Sequence, residues 1–427
     1  MSMRRWTFRL LAFLAVLIAV AFAAVWFIQF YPRHGSHPPL KLAQGTLAIE
    51  HARIYVSPSD PPIDDGTVLV RDGLIVAVGK GIQIPSGAAI VPCDHCVVTA
   101  GFWNAHVHLT EPKWSMANWK SAATLNPQLA DMFLSRGFTT VVDLGSNPAD
   151  TFSTRRRIEK GELTGPYIYS AGTGLYPPHG IPFYLKETLP RWIQALMPQP
   201  ETPAEATSIV RRNLASGADV TKLFTGSWVE RGRVLPMPVE IARAAVTESH
   251  LNGKLVFAHP SNLAGTKVAI DSGVDILAHA ADDTRGVDAE LLQSAIDKNM
   301  AMIPTLKMFT TTVTSDPHYM DPMRAEVGQF HQLGGTLIFG TDVGYMTDYS
   351  TETEFSELGK SGLDFKTVLG MLTINPAFRM GVADSKGTVT AGKLADLTIL
   401  EADPATDLTN FSRVHAVVRS GKLVWQR

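Results

Sequence analysis

The chain has 427 residues, of which 38 are Lys or Arg and 40 are Asp or Glu, for a formal charge of −2. That balance argues against a nucleic-acid-binding protein, which carries a basic excess or stripe. With 45% apolar and 18% charged residues the chain is too apolar for disorder, and two cysteines exclude a disulfide scaffold.

The first thirty residues form a separate unit. Arg4, Arg5 and Arg9 precede an uncharged apolar run from Leu10 to Ile28, with Trp6, Trp26, Phe30 and Tyr31 at its edges. As a helix rising 1.5 Å per residue, this run matches the roughly 30 Å hydrocarbon core of a bilayer. Leading arginines place the N-terminus in the cytoplasm and the aromatic residues fit the interfaces. Residues 1–35 are therefore expected to be an uncleaved membrane anchor. The alternatives are a cleaved signal peptide, suggested by Ala21-Phe22-Ala23, and a buried core helix. Anchor or signal, the rest of the chain is expected outside the cytoplasm, in a periplasm or extracellular space.

Residues 32–44, with Pro32, Gly35, Pro38 and Pro39, read as a linker. Then come short β-rich runs, Thr46–Val56, Thr67–Val70, Leu74–Val78 and Ala89–Val91, separated by Pro- and Gly-containing turns and resembling a small antiparallel sheet. The middle of the chain alternates differently. Strands at Thr139–Leu144, Tyr167–Ser170, Val220–Phe224, Leu255–His259, Ile276–His279, Ala301–Pro304 and Thr336–Gly340 alternate with helices, clearest at Glu205–Ser216, Pro238–Asn252 and Asp288–Asn299. Strand then helix, repeated about eight times, predicts an α/β fold of the (β/α)₈ TIM-barrel type over residues 99–380. After Pro376 the β pattern returns at Leu397–Leu400, Val414–Val418 and Leu423–Trp425. Residues 36–98 and 381–427 are accordingly expected to form one β-sandwich domain from both chain ends.

Polar residues fall at the C-terminal ends of the predicted barrel strands, the face where catalytic groups sit. His106 and His108 are two apart, so on a strand both imidazoles point the same way and can reach one metal. Lys222 lies near the end of its strand, His259 and His279 close theirs, and Asp342 follows Leu337–Thr341. A single such residue reads as structural: a hydrogen-bonded histidine, a surface lysine, a helix-capping aspartate. Five strands that all close this way point to a metal site.

The stretches 101–109 (GFWNAHVHL), 340–342 (GTD), 373–377 (TINPA) and 392–397 (GKLADL) resemble the signature motifs of the metal-dependent amidohydrolase superfamily. The likeness covers roughly residues 45–427. It is greatest to the branch of imidazolonepropionase-like proteins and the Xaa-Pro and related C-terminal dipeptidases. The resemblance implies a binuclear centre. His106 and His108 would bind the more buried ion with Asp342, and His259 and His279 the second. Lys222 would bridge both as an N-carboxylated lysine. Asp342 would also be catalytic, taking the proton from a water held between the ions. Zinc suits imidazole and carboxylate ligands, with manganese, iron or cobalt as alternatives. The implied reaction is hydrolysis of an amide or peptide C–N bond in a small substrate, a dipeptide or N-acyl amino acid. Alternatives are a cyclic amide of the imidazolone or lactam type, or a non-catalytic metal-binding scaffold. Ala100 and Asn104 depart from the usual motif, which has proline and aspartate at those positions.

Tyr176, His179, Trp228, Arg231 and Tyr345 follow the predicted strands and are candidate substrate contacts. His318 and His331 read as structural. Cys93 and Cys96 are expected as unpaired, mostly buried thiols, a local disulfide being the alternative. A small-molecule substrate and a membrane are the expected partners, and a homo-oligomer is compatible with the sequence.

Overall fold

A computed structural model describes residues 3–30, 37–93, 95–311, 316 and 318–427, and for 3–7, 10 and 24–30 the backbone alone. Residues 32–36 of the expected linker lie outside the described residues.

Eight parallel strands form the central barrel: Phe102–Val107, Phe138–Asp143, Tyr167–Ser170, Thr221–Phe224, Val256–His259, Ile276–Leu277, Ala301–Met302 and Thr336–Leu337. The first two are buried along their whole length, as strands covered by helices on one side and core on the other must be. Regular pairing runs in two arcs, of three strands and five. Asp219 N donates to Ser170 O at 2.7 Å and Phe224 N to Leu175 O at 2.9 Å across one seam. Ala105 N donates to Phe339 O at 2.8 Å and Asp342 N to His106 O at 2.9 Å across the other, closing the ring.

Three of the helices between strands begin where a side chain satisfies one of their free N–H groups. Thr202, Asn262 and Asp288 cap Pro203–Ala215, Leu263–Ser272 and Ala289–Asp297. The sixth and eighth strands end sooner than the sequence predicts, at Leu277 and Leu337 rather than His279 and Gly340. The apolar run continues, but the chain leaves the ladder there, so the polar residues that follow stand at the barrel mouth.

The two chain ends meet, and the N-terminal runs are not wholly antiparallel as the sequence suggests. Hydrogen bonding joins them in one eight-stranded mixed sheet, in the order Lys422–Gln426, Val414–Arg419, Leu397–Leu400, Val97–Ala100, Thr46–Ile54, Ile63–Arg71 and Leu74–Gly79. Ala89–Ile90 pairs in parallel on Thr46–Ile54. Val97–Ala100 also runs parallel to Thr46–Ile54, which makes the sheet mixed and leads directly into the first barrel strand. Buried Asp396, in the returning 392–397 segment, accepts hydrogen bonds from Lys386 and from Ser420 N, fastening that turn.

Cys93 and Cys96 are joined in a disulfide, which corrects the expectation of free thiols. Their Cα atoms, 5.3 Å apart, lie within ordinary bridging reach. The linker is held as well: His37 lies between Glu159, at 2.6 Å, and Asp219, at 2.9 Å, and stacks on Tyr167. Residues 3–30 form one helix. Its described side chains from Leu11 to Phe22 expose Leu11, Phe13, Leu14, Val16, Ile18 and Phe22 around the helix. Among the described residues no helix is long and apolar enough to cross a membrane; the described side chains cover only part of the Leu10–Ile28 run.

Candidate metal centre and active site

The first strand points His106 and His108 to the same side, and the loop after the eighth strand brings Asp342 to them. Asp342 Oδ1 lies 3.3 Å from His106 Nε2 and 3.1 Å from His108 Nε2, and the two Nε2 atoms are 3.3 Å apart. Gly340 allows this approach, because a Cβ there would stand 2.9 Å from the Cβ of His106 and collide with Ile303. Asp342 adopts φ 58, in the left-handed region, and Gly344 follows at φ 100, where any side chain would strike the carbonyl of His108. A tight loop at this point is therefore open to glycine alone.

His279 adds to the cluster from just past the sixth strand, its Nε2 4.0 Å from Asp342 Oδ2 and its ring 4.5 Å from that of His106. His259 packs edge-on against His279, with ring centroids 4.6 Å apart. Lys222 is 1% exposed, its ammonium 5.4 Å from the ring of Phe224, which in turn lies against His259.

The outer hydrogen bonds fix which ring nitrogens face inward. His108 Nδ1 donates to Gly145 O at 3.0 Å, leaving Nε2 toward Asp342. Thr305 Oγ1 donates to Pro304 O at 2.8 Å, so at its 2.6 Å contact with His279 Nδ1 it accepts, and His279 Nε2 keeps its lone pair. His106 Nδ1 and Asp342 Oδ1 are shut from solvent and make no aligned hydrogen bond among the described residues. Orphaned polar atoms of this kind call for a missing partner.

Burial, with the Lys222 charge next for His106 and His259 and that of His259 for His279, pushes all three imidazoles well below their ordinary value, into the neutral ligating form. Burial pulls His108 the same way, but the carboxylates of Asp342 and Asp143 outweigh it and raise its pKa. Desolvation brings Lys222 down to about 7, against the pull of Asp342. Nitrogen and carboxylate donors, mostly neutral and converging on one point, fit a divalent transition metal. His106, His108 and Asp342 form the tightest group, their ligand atoms all within 4.8 Å of one another.

These positions fall within a longer likeness. Residues 97–424 match the amidohydrolase family. The chain belongs to that family. It is an enzyme, a hydrolase acting on C–N bonds. Its curated relatives include a dihydroorotase from Geobacter metallireducens, 21% identical over 83% of this chain and 89% of that protein. Among solved structures it resembles a Xaa-Pro dipeptidase with bound methionine in the active site, with TM-score 0.76 and 21% identity over 90% of this chain and 100% of that one. A prolidase complexed with N-methylphosphonate-L-proline matches with TM-score 0.74 and 20% identity over the same shares. At these identities the structural likeness concerns the fold.

The structure divides the proposed substrate contacts of this amidohydrolase. Tyr176 stacks on Phe224 beside His259. Tyr345 packs edge-on against Tyr184, and the pKa of each tyrosine is raised by burial and by Asp342 and Asp282. Trp228 donates its indole N–H to Asp282 at 2.6 Å. His179 and Arg231 are not brought to this group. The His179 side chain is 87% exposed beside Glu201, and that of Arg231, 79% exposed, lies over Phe183 near Glu187. Both sit on loop tips that turn outward, a direction that position after a strand does not reveal.

Sequence reasoning passed over Asp282, Tyr184, Glu326 and Thr305. Asp282, three residues after His279, could have been noticed from its strand-end position. Tyr184 lies on the short helix Phe183–Thr188 inside a long loop and gives no such signal.

Proposed function

We infer that this amidohydrolase is a binuclear metallohydrolase that cleaves the amide or peptide C–N bond of a dipeptide or N-acyl amino acid. The observation that carries the reading is the convergence of His106, His108 and Asp342, whose ligand atoms all lie within 4.8 Å of one another. His106 and His108 would hold one ion with Asp342, and His259 and His279 the other. Lys222 would bridge them once its amine, brought into range for the neutral form by burial, has taken up carbon dioxide. Zinc suits this set, with manganese, iron and cobalt as alternatives.

When bound, such ions lower the pKa of a shared water and polarise the scissile carbonyl. Asp342 is placed to accept the proton of the attacking water and to return it to the leaving nitrogen.

The dipeptide reading draws on the likeness to the Xaa-Pro dipeptidase and prolidase folds. The dihydroorotase relative favours a second reading, a cyclic amide as substrate. Screening the zinc-loaded protein against dipeptides, N-acyl amino acids and cyclic amides separates the two. Hydrolysis abolished by chelation and restored by zinc supports the reading. A protein that binds no metal, or turns over no amide with metal bound, removes it.

We also propose that residues 1–35 anchor the enzyme to a membrane with the barrel outside the cytoplasm. The uncharged Leu10–Ile28 run and the exposed apolar side chains of its helix support this. The Cys93–Cys96 disulfide favours an oxidising compartment.

A further inference from the structure

Around the barrel mouth, the loop after the sixth strand carries adjacent carboxylates with different fates. Asp283 is neutralised by Arg285, which grips both its oxygens at 2.7 and 2.6 Å. Glu326, packed beneath the same loop, accepts from Ala281 N at 2.9 Å. Asp282 differs from both. Its Oδ2 accepts the indole N–H of Trp228 at 2.6 Å, while its Oδ1 is closed to solvent and has no hydrogen-bond partner among the described residues. Its charged neighbours, Asp342 and Asp283, are themselves carboxylates. Asp282 follows His279 by three residues on the loop that leaves the sixth strand, which puts it on the same mouth as the metal centre.

A carboxylate oxygen withdrawn from water and left unpaired is expensive to maintain. A cationic donor arriving with the substrate would relieve it by a charge-assisted hydrogen bond. An indole N–H cannot ligate a metal, so Trp228 suits Asp282 to fixed reception of a donor rather than to a further cation site. The indole also holds the carboxylate in one orientation and leaves Oδ1 as its unpaired acceptor.

We propose that Asp282, oriented by Trp228, receives the protonated α-amino group of the substrate, so that the enzyme acts on dipeptides with a free amino terminus rather than on N-acyl amino acids. This rests on the hydrolase reading above and narrows its substrate class. Burial already raises the Asp282 carboxyl to about 7, as expected where an incoming cation completes the site.

The test uses the full-length, zinc-loaded protein and pairs of compounds that differ only in the amine: L-alanyl-L-amino acids and the matching N-propionyl-L-amino acids. The wild type should favour the dipeptide by about 100-fold in kcat/KM, the range seen when a buried charge loses its partner. Asp282→Asn should erase that preference by slowing the dipeptide alone. Trp228→Phe, a second variant should the first fail to fold, should lose about tenfold more on the dipeptide than on the propionyl compound. Equal wild-type rates on a pair, or equal losses on both members in Asp282→Asn, overturn the amine subsite while leaving the hydrolase intact. If the wild type hydrolyses neither compound, the dipeptide and N-acyl reading falls and the cyclic-amide reading stands. Calorimetric titration with the same pair then decides the subsite: selective dipeptide binding that disappears in Asp282→Asn sustains it, and unselective or absent binding ends it.

Discussion

Asn104 and Thr341 hold each other across the seam between the first and last barrel strands. Asn104 Nδ2 donates to Thr341 Oγ1 at 2.7 Å, and Thr341 N donates to Asn104 Oδ1 at 3.2 Å. The same oxygen accepts from His106 N at 3.3 Å. One fully buried amide thus ties the backbone that carries His106 to the residue before Asp342. The asparagine that departs from the family motif supplies both a donor and an acceptor here, which a carboxylate could not.

Asn104→Ala should therefore strip partners from Thr341 and His106 together. The expected loss is about 2 kcal/mol of stability, with metal affinity weakened about 10- to 100-fold because two ligands lose their common support. Thermal unfolding and a zinc titration measure the two effects. An unchanged zinc affinity would show that the seam positions nothing.

Asp342→Asn should reduce kcat at least about 1,000-fold, since the amide cannot accept the proton that the leaving nitrogen must receive. Metal content should stay near wild type, because four histidines and Lys222 remain. Full activity in this variant would assign the proton transfer to another group.

His106→Ala and His179→Ala form a contrast. The first removes a buried ring from the tightest part of the cluster and should lower both zinc content and rate. The second removes an exposed ring and should change neither. Elemental analysis beside steady-state kinetics reads both.

Glu326 provides a pH prediction. Burial raises its pKa from 4.5 to about 8, so the folded state holds a proton that the unfolded chain releases above about pH 4.5. Its stabilising effect is complete at acid pH and fades as pH climbs from about 4.5 to 8. Glu326→Gln keeps an acceptor for Ala281 N and escapes that loss. The variant should match the wild type near pH 4.5 and exceed it by on the order of 3 kcal/mol at pH 8. Melting temperatures across that range test it, and a constant difference would show that Glu326 does not titrate there.

Removing residues 1–36 should release the enzyme from membranes and leave kcat/KM unchanged, because His37 still closes its contacts with Glu159 and Asp219. Starting instead at residue 41 removes that clamp and should lower the melting temperature. Fractionation and thermal melts distinguish the two truncations.

The alternation of short apolar strands with helices, and the gathering of His106, His108 and Asp342 at one place, were legible in the chain. Periodicity and polar punctuation are local, and a parallel barrel sends every strand end to one face. The mixed character of the outer sheet was not legible, because Val97–Ala100 chooses its parallel neighbour through contacts some forty residues away. The Cys93–Cys96 bond likewise depends on how the chain turns between the two sulfurs. The sequence alone determined which histidine, lysine and carboxylate side chains the barrel strands and their following loops carry, and in what order. Tertiary structure decided which ring nitrogens face inward, that His179 and Arg231 point away, and that Asp282 keeps an unpaired oxygen at the mouth. Each of these depends on partners distant in the chain, and only the closed barrel brings such partners within hydrogen-bonding range.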